Sequence, residues 1–205
     1  MRRVSNPDAC ANGTEDFRRG AKAKLPAAKL IDPLQHGAQS PGLSGLYSIV
    51  NGIRLALAHK YQFSDRELAE LIAAGLRFFD GRLTTERVVM CGLPLGLWLR
   101  LAEALADRTR RHSRMNLLVE REYGQGKDRA SSWVTIKRVI DEGRPLLSLV
   151  QGGRYTVVSG FTSSSLLLFD SSDAHWISKF ATGVPGDHDY ARHVVRPTSF
   201  ISLRT

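Results

Sequence analysis

Few side chains in this 205-residue chain carry the chemistry of a nucleophile, a base or a metal ligand. The thiols are Cys10 and Cys91, and the imidazoles are His36, His59, His112, His175, His188 and His193. Two cysteines close one disulfide at most, which excludes a disulfide scaffold and a cysteine-rich metal site. Cys91, between Met90 and Gly92, reads as a buried structural thiol, and Cys10 as a free thiol in a polar arm. Asp187, His188, Asp189 and His193 are metal-ligand types. Their spacing matches no ligand motif and reads as a polar loop, so neither a metal nor a cofactor is expected. A basic run holds Arg108, Arg110, Arg111 and Arg114, with His112 among them. It reads either as a solvated helix end, whose cations complement the helix dipole, or as a contact for an anion, a nucleic acid or a partner.

The elements that must position such groups follow from periodicity and punctuation. Pro33 to Gly45 is a loop broken by Pro33, Gly37, Pro41, Gly42 and Gly45. Leu46, Ile49, Val50, Ile53 and Leu57 then recur at helical spacing, with Ser44 at the N-cap. Ser64 and Glu67 have capping-box spacing and open a second helix to about Ala74. Pro94 starts a third through Leu97, Trp98, Leu101 and Leu105. The second half changes character. Met115 to Arg121 reads as a strand, Ser131 to Glu142 as a helix closed by Gly143, and Pro145 to Val150 as a strand. Strands over Tyr155 to Phe161, Leu166 to Phe169 and Ser199 to Leu203 follow. Helices first and tightly turned strands second predict an α+β fold, with N-terminal helices packed on a C-terminal antiparallel sheet.

Composition sets the class. Hydrophobic residues make up 42% and charged residues 24%, an ordinary globular balance. The apolar runs are far too short for a bilayer span, and Met1-Arg2-Arg3 is not followed by an apolar signal region. A cytoplasmic location is therefore expected. The net charge of +9 suggests an acidic partner or surface. Part of it lies in residues 1–30, where Arg2, Arg3, Arg18, Arg19, Lys22, Lys24 and Lys29 outnumber Asp8, Glu15 and Asp16. That stretch reads as a basic, mobile arm, and residues 31–205 as one domain.

Two segments together carry a family pattern. One is Gln39 … Ser44-Gly45-Leu46-Tyr47-Ser48-Ile49-Val50-Asn51-Gly52-Ile53-Arg54. The other is Val139-Ile140-Asp141-Glu142-Gly143-Arg144-Pro145, then Gly153-Arg154-Tyr155-Thr156-Val157-Val158-Ser159-Gly160, ending at Phe169-Asp170. Their order and spacing resemble papain-like cysteine peptidases, including the bacteriocin-processing leader-peptidase branch. The resemblance implies a papain-like domain. It places the nucleophile position at Ser44, the base at Arg154, the residue orienting the base at Asp170 and the oxyanion donor at Gln39. In that chemistry a thiolate sits at a helix N-terminus beside an imidazolium, an Asp or Asn fixes the imidazole, and a Gln helps hold the oxyanion. Taken singly, Ser44 reads as an N-cap, Gln39 as a loop residue and Asp170 as a turn residue before Ser171-Ser172-Asp173.

Both decisive positions are substituted. A serine hydroxyl needs a base, and an arginine with a pKa above about 12 is not one. An Arg154–Asp170 pair would instead be a structural ion pair. His36 and His175 are the imidazoles whose sequence positions bring them nearest the implied cleft. The expected function is that of a catalytically inactive peptidase homologue, a pseudoenzyme that binds a peptide or partner protein. One alternative is an active hydrolase, or one inactivated at a native cysteine, that cleaves a peptide or isopeptide bond at Ser44. Another is a basic nucleic-acid binder using the arm and the Arg108–Arg114 run.

Overall fold

The computed structural model describes residues 25–35, 41–81, 87–88, 92–122, 128–150, 154–171, 175–185 and 193–205. Among the described residues, helices run over α1 (Ser44–Leu57), α2 (Asp65–Phe78), α3 (Leu95–Ser113) and α4 (Arg129–Asp141). The strands are β1 (Leu118–Arg121), β2 (Leu146–Val150), β3 (Arg154–Phe161), β4 (Ser165–Leu168), β5 (Trp176–Ser178), β6 (Thr182–Gly183), β7 (His193–Val194) and β8 (Ile201–Arg204). Six of them form an antiparallel sheet in the order β1-β8-β2-β3-β4-β5, so the fold is α+β.

Burial explains the layering. Helix α1 is covered nearly all round, with Leu46, Ile49, Val50, Ile53 and Leu57 fully buried. A helix apolar on every side belongs in the middle of a core. It lies on β3, β2 and β8, with α2 and α3 against its other side. Strand β2, Leu-Leu-Ser-Leu-Val, is buried on both faces because α4 covers the sheet opposite α1. A strand covered on both sides reads as a continuous apolar run rather than an alternation.

The helix ends follow local chemistry. The capping box forms at α2: Ser64 Oγ accepts from Glu67 N–H at 3.3 Å, and Glu67 accepts from Ser64 N–H at 2.7 Å. That helix runs on to Phe78, past the expected Ala74. Asp128 caps α4 by accepting from Ser131 N–H at 2.9 Å. Gly143, at φ 79°, ends it in a left-handed turn. Gly143 N–H bonds Ile140 O at 3.0 Å and Arg144 N–H bonds Val139 O at 3.1 Å, the two bonds of a Schellman motif. Arg114 takes the same left-handed role after α3 at φ 57°, without glycine's freedom.

Several sequence expectations change here. Ser44 is not an N-cap: Leu43 holds that place, and Ser44 is the first helical residue with its hydroxyl used elsewhere. The first strand begins at Leu118 rather than Met115, and the last at Ile201 after a 3-10 turn over Pro197–Ser199. Strand β5 and the short parallel pair β6–β7 were not expected. Two or three residues carry too little periodicity to announce a strand. Within the expected arm, the stretch over residues 25–30 packs on the domain. Leu25 and Ala27 are core residues, and Leu25 N–H bonds Ser159 O at 3.3 Å. The arm's first 24 residues lie outside the described residues. No described helix is long and apolar enough to cross a membrane.

Candidate functional site

The first turn of α1 meets the start of β3. Ser44, 1% exposed, accepts a hydrogen bond on Oγ from the N–H of Tyr155 at 3.3 Å. Arg154 is the preceding residue and the first of β3, so the peptide joining Arg154 to Tyr155 lies against the Ser44 hydroxyl. Two segments separated by about half the chain are thereby brought together.

An aromatic clamp holds this junction. The Tyr155 ring stacks on Trp98 with centroids 4.3 Å apart and planes 23° apart. Trp98 Nε1 donates to Gly45 O at 3.0 Å, and Tyr155 OH donates to Leu93 O at 2.8 Å. Both polar tips of buried rings are thus satisfied, as burial of such rings requires. A side chain at position 45 would be crowded. A Cβ there would stand 2.8 Å from Leu93 Cδ1 and 3.2 Å from both Trp98 Cδ1 and Tyr155 Cδ2.

Strand geometry sorts the remaining residues. Tyr155 faces the helices, so alternation sends Arg154 and Thr156 to the other face of β3. Val158 pairs with Leu168, and Phe169 N–H bonds Val157 O at 2.8 Å. The same register sets Asp170 opposite Thr156, on the face that Arg154 shares. Asp170 is 2% exposed, and Arg154 is half-buried. Beside Asp170, Thr156 Oγ1 and Ser171 Oγ are buried with no hydrogen-bond partner among the described residues. Such groups are uncommon in native interiors and mark places where another molecule or water completes the bonding.

The segment leading toward residue 39 is anchored by α1. Asn51 Oδ1 accepts from Leu34 N–H at 2.7 Å, and its Nδ2 donates to Leu34 O at 3.1 Å. Arg54 donates to Asp32 O at 2.8 Å. The Asn and Arg of the sequence pattern therefore pin the incoming loop. Gln39 itself lies outside the described residues, as do His36, Cys10, Cys91, Asp187, His188 and Asp189. His175 is exposed and begins the approach to β5, where its carbonyl accepts from Leu168 N–H at 2.8 Å. His193 lies in β7. Among the described residues no group of three His, Cys, Asp or Glu side chains is placed to hold a metal.

Burial pushes the Tyr155 phenol well above its ordinary value, so it stays protonated at any working pH. A buried ionic cluster lies elsewhere, at the end of α4. Arg144, 9% exposed, donates to Glu120 at 2.6 Å, Glu122 at 2.7 Å and Ser202 Oγ at 2.6 Å, and also pairs with Glu142. Ser202 donates onward to Glu122 at 2.6 Å, and Arg138 pairs with Glu122 as well. Sequence reading placed Arg144 in the pattern but missed this role, because its partners come from two other strands.

The basic run lies on the last turns of α3 and just past them. Arg110 and Arg111 both pair with Asp107, Arg111 at 2.7 Å, so part of its charge is compensated. His112 Nε2 lies 2.8 Å from Glu67 Oε1. Arg114 is the left-handed residue that ends the helix. Comparison of the sequence with protein-family models and with curated proteins finds no match in either.

Proposed function

We propose that this chain is a papain-like peptidase homologue that keeps the peptide groove and has lost the chemistry, and that it binds an extended peptide of a partner protein without cutting it. One observation carries the reading. The Ser44 hydroxyl, at the first turn of a buried helix, is hydrogen-bonded to the peptide that follows Arg154. The papain-like reading expects a cysteine and a histidine at these two positions. A serine and an arginine stand there instead. Arginine neither takes a proton from Ser44 nor gives one to a leaving amine near neutral pH. The Tyr155 phenol is committed to Leu93 O and held protonated by burial. The basic net charge suits an acidic peptide.

The test has two arms. A serine-directed fluorophosphonate probe is expected to leave Ser44 unlabelled, and a peptide library is expected to show no cleavage. Acidic peptides from that library are expected to bind, and Ser44→Trp, which fills the junction, is expected to abolish that binding. Labelling of Ser44, cleavage of any peptide, or unchanged binding by the tryptophan variant overturns the proposal.

A further inference from the structure

A second site lies between α2 and α3, away from the Ser44 junction. A cavity of about 270 Å³ opens between the first two turns of α2 and the last turns of α3. Arg108 lies ten positions beyond Trp98 along α3, about 15 Å at the helical rise. The cavity's apolar walls are Phe63 and Leu71, and its cations are Arg108 and Arg111. Among the described residues Arg108 pairs with no carboxylate, whereas Arg111 is held by Asp107.

One feature of the lining is not explained by folding alone. Thr109 is 3% exposed, and its Oγ1 is buried with no hydrogen-bond partner among the described residues. A threonine within a helix usually returns its hydroxyl to the carbonyl four residues back. Leaving it unmet works against folding. Thr109 lines the cavity next to Arg108, whose guanidinium has no carboxylate partner among the described residues.

The charges select among ligands. Glu67 is committed to Tyr61, Ser64 and His112, and Glu70 accepts from Arg66 at 2.9 Å. Both carboxylates still line the cavity, so a dianion such as phosphate meets repulsion there. A single carboxylate is matched by Arg108, and the Phe63 and Leu71 walls call for an apolar body beside it.

We infer that this cavity binds an apolar residue carrying a free carboxylate, with Arg108 and the Thr109 hydroxyl holding the carboxylate and Phe63 and Leu71 holding the side chain. A hydrophobic amino acid and the C-terminal residue of a peptide share this chemistry. The inference stands independently of the papain-like reading.

The experiment titrates the ¹⁵N-labelled full chain with N-acetyl-L-leucine, L-leucine and N-acetyl-L-leucinamide, following the Thr109 amide signal. The two carboxylates are expected to shift it, and the uncharged amide is not. Tighter binding of L-leucine assigns a free amino acid, with Glu70 meeting its ammonium; equal or weaker binding assigns a peptide end. Arg108→Gln is expected to weaken N-acetyl-L-leucine about tenfold. Thr109→Val is expected to weaken it while leaving the thermal midpoint unchanged or higher, because the unmet hydroxyl is gone. Absence of any shift at millimolar ligand, equal binding of the leucinamide, or unchanged affinity in either variant overturns the inference.

Discussion

The hydroxyl of Ser44 is hydrogen-bonded to the backbone N–H of Tyr155 at 3.3 Å, across a sequence separation of 111. This bond joins the N-terminus of the central helix to the first peptide of the central hairpin, and both residues at its ends are buried.

The junction brings together the two segments where the papain-like reading expects a cysteine and a histidine, and it holds neither residue. Ser44→Cys alone is expected to alkylate with iodoacetamide along a single titration, the thiol's own. Adding Arg154→His is expected to give two inflections, as thiol and imidazole titrate as a coupled pair. A single inflection in the double variant would mean that position 154 does not reach position 44.

Gly45→Ala tests the clamp. Crowding against Leu93, Trp98 and Tyr155 costs about 1–3 kcal/mol, offset by the roughly 1 kcal/mol helical preference of alanine over glycine. A net loss of up to about 2 kcal/mol is expected in urea unfolding. The Trp98 fluorescence should shift as its stack on Tyr155 opens. A more stable variant would show that Leu93 swings clear at no cost.

Arg144→Met removes the hub of a buried ionic cluster and leaves Glu122 with one cation fewer. A loss of about 3–5 kcal/mol is expected from denaturant unfolding. The double variant Arg144→Met/Glu122→Met is expected to recover part of that loss, since no uncompensated carboxylate stays buried. Simple additivity of the two single losses would argue against coupling through this pair.

Acid stability depends on carboxylates held below their ordinary values, Glu67 and Glu122 among them. The Tyr61 hydroxyl first, then Ser64 and His112, hold the Glu67 carboxyl down to about 2, against an ordinary value of 4.5. For Glu122 burial works to raise the value, but the Ser202 hydroxyl, Arg138 and Arg144 outweigh it and hold it below the usual range. A depressed carboxyl stabilises the fold fully above its unfolded value and loses that contribution as pH falls through its folded value. Unfolding free energy should therefore be level near neutrality and decline below about pH 4.5. Glu67→Gln is expected to flatten the part of the decline that runs toward pH 2, as chemical denaturation across that range would show.

The helices were legible because their signals are local. The Ser64–Glu67 box, Pro94 before α3 and Gly143 after α4 act within one turn, and each ended or opened a helix within about four residues of its expected place. Strands β2, β3 and β4 were legible from apolar and β-branched runs. Strand β5 and the β6–β7 pair were not, because so few residues show no period.

The site divides along the same line. By itself the sequence determined that Ser and Arg occupy the positions where the resemblance requires a nucleophile and a base, and that Asn51 and Arg54 follow at helical spacing. Only the tertiary structure decided what those residues do. Ser44 reads locally as a cap, and its bond to Tyr155 exists only once the helix docks on the sheet. Asp170 reads as turn chemistry, and its burial depends on continuing the β3–β4 register. Thr109 reads as one more polar residue in a basic helix end, and its unmet hydroxyl arises only where α2 closes over α3. Capping and periodicity act over a few residues and can be read in order along the chain. Partnerships between segments are set by packing, which no local pattern records.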